Sequence, residues 1–187
     1  GDPVRGQALI GYITAAAGTV LAVTAPFLGA IADKDGRRKP WLVGTLAIMT
    51  AGAFSLWMIE PEGRGLSLVN ALAVLFVIKV CFTIMEVFHN AMLPSIAPAN
   101  RLGIISGLAF SLGNVGGLLL MLFVLFAFSM PGTQPWAFLP EAPLFGIDQS
   151  AHEHNRIVGP IAGAWMMLFM LPVLLFTPDG KASTSGM

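Results

Sequence analysis

The sequence predicts an all-α fold, a polytopic bundle of transmembrane helices, and three observations carry that reading. Of 187 residues, 56% are hydrophobic and only 11% charged, with a mean hydropathy of +0.78. Soluble domains carry about 25% charged residues, so a water-facing globule of this composition would lack the polar surface to cover itself. Five stretches are apolar for long enough to cross a hydrocarbon core about 30 Å thick, which takes roughly 20 residues at ~1.5 Å each. The period-2 alternation of a membrane β-barrel is absent. The same numbers exclude a soluble enzyme, a disulfide scaffold and a nucleic-acid binder, since 10 basic and 10 acidic residues cancel. The single cysteine, Cys81, sits in an apolar run and reads as a small buried hydrophobe.

The first expected span, 8–32, has no charged side chain before Asp33. The second covers 41–59. The third, 66–92, is interrupted by Lys79 and Glu86, and the fourth, 103–130, is long enough to tilt or to extend beyond the lipid. The fifth, 158–176, carries Pro160 near its start and Pro172 near its end, where proline bends or opens a membrane helix. Between the last two lies 131–157, with Pro131, Pro135, Pro140 and Pro143 beside Trp136 and Phe138. This composition predicts an extracytoplasmic loop lying at the membrane interface.

Orientation follows from the basic residues. Alternate connections place Lys34, Arg37, Arg38, Lys39, Arg101 and Lys181 on one side, against Arg5, Arg64 and Arg156 on the other. The richer side is expected to be cytoplasmic, which puts loop 33–40 inside the cell. The chain opens Gly1-Asp2-Pro3-Val4-Arg5, without Met or the design of a signal peptide. An external start with an odd number of spans is the expectation for a fragment lacking its first helix.

The stretch joining the first two spans, Gly29-Ala30-Ile31-Ala32-Asp33-Lys34-Asp35-Gly36-Arg37-Arg38-Lys39, is a tight helix connection. Gly29 permits close approach to a neighbouring helix, and Gly36 suits a left-handed turn. Asp33 can meet a helix N-terminus or a guanidinium of another span. On charge alone, the segment reads as an anchor that sets topology. Its spacing resembles the signature loop of the major facilitator superfamily: G, three residues, D, two residues, then G-R-R/K-R/K. Gly29, Asp33, Gly36, Arg37 and Arg38 match every fixed position, with Lys39 following. The resemblance implies a gating loop whose Asp and Arg residues pair between transporter halves in one access state and release in the other.

A narrower resemblance is carried by Asn90-Ala91-Met92-Leu93-Pro94, Ile104-Ile105-Ser106-Gly107-Leu108 and Leu112-Gly113-Asn114-Val115-Gly116-Gly117. These look like the vacuole-effluxer-like branch, which includes fungal autophagy-related amino-acid effluxers and many bacterial relatives. That alignment implies helices two to six of twelve, in a bacterial inner (plasma) membrane. The implied partners are the lipid bilayer, a small-molecule substrate, and the missing first helix and C-terminal half of the same transporter. The small residues of the fourth span, among them Gly107, Gly113, Gly116 and Gly117, recur at three- and four-residue spacing and predict a helix-packing seam. The superfamily's antiporter motif ends G-P, two residues, G-G; here there is no proline and one residue fewer, so antiport is not implied.

Lys79 lies about thirteen residues from either end of the third span, roughly 20 Å at ~1.5 Å per residue, too deep to snorkel. It is therefore expected to face protein or a wet cavity. Glu86 is two turns along the same face, and Asn90 one turn further; His89 is displaced by one position. Lys79, Glu86 and Asn90 are the candidate substrate or coupling residues, with structural pairing to another helix the competing role for Lys79. Two histidines, His152 and His154, flank Glu153 and could chelate a metal, but no third and fourth ligand stand nearby. They read as part of a solvated loop. No catalytic triad, zinc-protease helix or phosphate loop is present in the sequence. The expected function is secondary active transport of a small solute, amino acids being the leading class, with no enzyme activity, cofactor or nucleic-acid partner. A non-transporting membrane scaffold is the alternative, and an intramembrane enzyme using His152, Glu153 and His154 a distant third.

Overall fold

A computed structural model describes residues 3–61 and 64–179, with only the backbone described at 3 and 32–35. The elements are α1 (Pro3–Asp35), α2 (Lys39–Ser55), α3 (Leu68–Ile96), α4 (Leu102–Val124), α5 (Glu153–Arg156) and α6 (Val158–Phe176). Among the described residues the only extended pairing is a bridge between Ile59 and Gly65. Five helices are long and apolar enough to cross a membrane. This is an all-helical integral membrane protein, and its solvent is the lipid bilayer. Lipid offers no partner for a free N–H or C=O, so each span must satisfy its own backbone, which the α-helix does.

Local chemistry sets the helix ends. Ser67 accepts from the Asn70 N–H at 3.3 Å and caps α3. Pro40 stands in the first turn of α2, where a missing N–H breaks no intrahelical bond. The third helix runs past the expected boundary at 92, through Pro94, to Ile96. Because proline has no N–H, the helix continues at the expense of the i+4 bond to the Asn90 carbonyl.

The core lies among α1, α2, α3 and α6. Leu28, Leu42, Leu46, Met49, Phe88 and Met92 are buried together with Cys81, Met85 and Met170. Trp41 stacks on Phe88 with centroids 4.9 Å apart and planes 6° from parallel. Helix α3 packs against both α1 and α2, and α2 also packs against α6, whereas α4 is exposed along most of its length.

Within this chain, the close helix approach lies elsewhere than the expected seam. A Cβ at Gly107, Gly113, Gly116 or Gly117 would meet nothing within 4 Å, nor would one at Gly29. The tight approach is between α2 and α6 instead: a Cβ at Gly159 would stand 2.5 Å from the Ala53 carbonyl oxygen, and one at Gly163 3.1 Å from the Ala53 Cβ. Gly52 likewise admits Ile78 of α3, whose Cγ1 would be 3.0 Å from an added Cβ. Small residues allow close packing, but only where the topology supplies a facing helix. Within this chain α4 has none along its glycine face.

The segment 131–157 is more structured than a plain loop. A π-helical turn, Leu125–Ser129, extends α4, and a short 3-10 turn spans Leu144–Gly146. The Gln149 side-chain amide donates to the carbonyls of Phe128, Ser129 and Pro131 at 2.9, 3.2 and 3.1 Å, satisfying the orphan acceptors of that helix end. Asp148 accepts from the Ser150 hydroxyl at 2.7 Å and the Ser150 N–H at 2.8 Å, which holds its carboxyl below the usual carboxylate range, the hydroxyl bond weighing most. Arg156 clamps the segment to the end of α2: its Nε donates to the Trp57 carbonyl at 2.8 Å, its guanidinium lies 4.8 Å from the Trp57 ring centroid, and Glu60 is 3.7 Å away.

Candidate functional site

The polar chemistry of the bundle concentrates at the end carrying the α1–α2 turn. Gly36 takes φ 61°, a left-handed conformation that a Cβ would strain, and so reverses the chain within three residues. Arg37 is exposed and Arg38 half-buried, its Nε without a partner among the described residues. The Asp33 side chain lies outside the described residues, as does Lys181. At the start of α2 the N-terminal N–H groups are met by a residue that the sequence reading passed over. Asp179, beyond α6, accepts from the Arg38 N–H at 2.8 Å and the Lys39 N–H at 3.3 Å. The Lys39 ammonium donates to the Leu174 carbonyl at 2.7 Å, near the C-terminus of α6. A carboxylate thus answers the positive end of one helix dipole and a cation the negative end of another. The signal for Asp179 was available: an acidic residue just past the fifth span, on the same side as the basic loop.

Beside this turn, α3, α4 and α6 line an open cavity of about 470 Å³. On α3, Cys81, Met85, Phe88 and Met92 are buried, while Phe82, Glu86, His89 and Asn90 are exposed. The exposed set lines the cavity together with Met85 and Met92, opposite Ser106 and Phe110 of α4 and Met170, Val173 and Thr177 on and just after α6. Glu86 and Asn90 are therefore brought together, and His89 joins them. Its displacement by one position does not remove it from the face, because i+3 and i+4 both neighbour residue i on a helix. Lys79, two turns away along α3, does not line the cavity; it is half-buried, and among the described residues its ammonium has no hydrogen-bond or ion-pair partner.

The outer-loop histidines are not built as a metal centre. His152 adopts φ 57° ahead of α5, its ring centroid 6.1 Å from that of His154. Among the described residues no three His, Cys, Asp or Glu side chains are grouped to hold an ion. The His154 Nδ1 is buried and unpartnered among those residues, so this histidine belongs to the packed end of the bundle and not to a wholly solvated loop.

The described residues thus form an apolar helix bundle with a largely apolar cavity, which carries a few polar groups, beside a basic inter-helix turn. The model of the Major Facilitator Superfamily matches residues 2–121, and the chain belongs to that family. An uncharacterized MFS-type transporter, YxiO, of Bacillus subtilis (strain 168) is 26% identical over 172 residues, covering 91% of this chain and 36% of the relative. The chain thus spans about a third of the length of the curated relative it matches. No solved structure matches it. Membership of this family points to a transporter and away from an enzyme; neither comparison reaches the vacuole-effluxer branch.

Proposed function

We propose that the protein acts in secondary active transport, moving a small solute across the membrane by alternating access. The observation that carries this reading is the cavity between α3, α4 and α6, to which Glu86, His89 and Asn90 of an apolar span are exposed. At the centre of that span, where Lys79 lies, an ionisable group costs about 2.5–3.5 kcal/mol on insertion scales, a cost that a coupling role explains. Lys79, on the same face two turns away, is proposed to couple the cavity to the opposite side. Gly29, Asp33, Gly36, Arg37 and Arg38 are proposed as the gating loop, placed on the cytoplasmic side of a bacterial inner membrane. The first helix and C-terminal half of the same transporter are proposed to complete the cavity and to supply the half against which this bundle rocks. Amino acids are the proposed cargo, from the resemblance of the Asn90–Pro94 and Gly113–Gly117 motifs to amino-acid effluxers.

Counterflow uptake into proteoliposomes tests the reading. Accumulation of labelled amino acid is expected with the wild-type protein and a loss of about tenfold or more with Lys79→Ala, the removal of the proposed coupling charge. Absence of counterflow, with Lys79→Ala indistinguishable from wild type, would leave a membrane scaffold as the better description.

A further inference from the structure

The cavity beside Glu86 has a chemical bias that the transporter reading alone does not contain. Its carboxylate is that of Glu86, which only accepts, and it stands with His89, Asn90, Ser106 and Thr177, which can both donate and accept. No lysine or arginine lines the cavity among the described residues, and Lys79 stands outside it. The walls are aromatic and thioether: Phe82 and Phe110, with Met85, Met92 and Met170. Phenyl faces attract cations, and methionine adapts its shape to varied apolar groups.

We infer that this cavity binds the ammonium group of a small solute with an apolar body, Glu86 supplying the counter-charge. An ammonium carries three donors and no acceptor, and the Glu86 carboxylate, the Asn90 amide oxygen and the Ser106 and Thr177 hydroxyl oxygens can each accept from it. Apolar amino acids and their decarboxylated amines share the ammonium and the apolar body.

The inference rests on the transporter reading, but binding is measurable without transport, so the two fail separately. The test is scintillation-proximity binding of labelled leucine and of labelled 3-methylbutylamine to the protein in phosphatidylcholine nanodiscs. Saturable binding of at least one is expected, weakened at least about tenfold by Glu86→Gln, the loss of a charge-assisted bond, and retained by Glu86→Asp and by the outer-loop control Glu141→Gln. Binding of the amine alone assigns the site to organic cations, and binding of both includes zwitterions. Failure of both ligands to bind, or unchanged binding in Glu86→Gln, overturns the ammonium site, and counterflow of another solute would then leave the transporter reading standing.

Discussion

At Asp179 a single carboxylate joins two distant parts of the chain, capping α2 from just beyond α6. Capping residues contribute about 1 kcal/mol when they satisfy first-turn donors. Asp179→Ala is therefore expected to destabilise the bundle by about that amount, with Asp179→Asn intermediate because it keeps an acceptor and loses the charge. Thermal melting in detergent, followed by tryptophan emission, measures both. An unaltered melting point in Asp179→Ala would show that water replaces the carboxylate without loss. Gly36 was legible at this scale, since its left-handed turn follows from the absence of a Cβ between two helices. Asp179 was legible only as an acidic residue on the side of the basic loop; its capping of α2 was not, because a contact across 141 residues is a property of where two helix ends meet in space.

Among the helices, the contrast between glycines of α4 and α6 carries the main lesson. Both spans contain small residues at helical spacing, and sequence pattern ranks α4 first. In the structure the close approach is at Gly159 and Gly163 against Ala53 and Phe54, while the α4 glycines meet no neighbour. Gly159→Leu is expected to wedge α2 from α6 and cost about 1–3 kcal/mol, the usual range for overpacking. Gly116→Leu should leave melting of this chain unchanged. Parallel melts of the two variants decide between them, and equal destabilisation would return the seam to α4. Helix α3 was more legible than α4, because its charged and polar residues recur along one face, away from Cys81, Met85, Phe88 and Met92. In a nearly uniform apolar helix such as α4, hydrophobic patterning carries no direction.

At the scale of the whole molecule, the Gly36 turn, the α3–α4 connection and the segment after α6 lie toward one end. The opposite end holds the Ile59–Gly65 bridge and the Arg156 clamp over Trp57. If the basic end faces the cytoplasm, Arg37→Cys in a Cys81→Ala background is expected to react with an impermeant maleimide only after the cells are opened. Glu141→Cys should react in intact cells. The reverse labelling pattern would invert the proposed orientation and with it the direction in which the cavity opens.

Composition and the run lengths of apolar residues determined that this chain lives in lipid and holds five helices long and apolar enough to cross it, because a bilayer demands long apolar runs whose backbones bond internally. The turn chemistry of Gly36 and the charged face of α3 were equally local and equally readable. Only the tertiary structure decided which helices touch, where the cavity lies, that His89 enters it and Lys79 does not, and that Asp179 closes the start of α2. The physical reason is the solvent: when lipid covers every helix face as readily as a neighbouring helix does, burial no longer marks the packing side in the sequence, and contacts are selected by shape and by the few polar groups that must find each other.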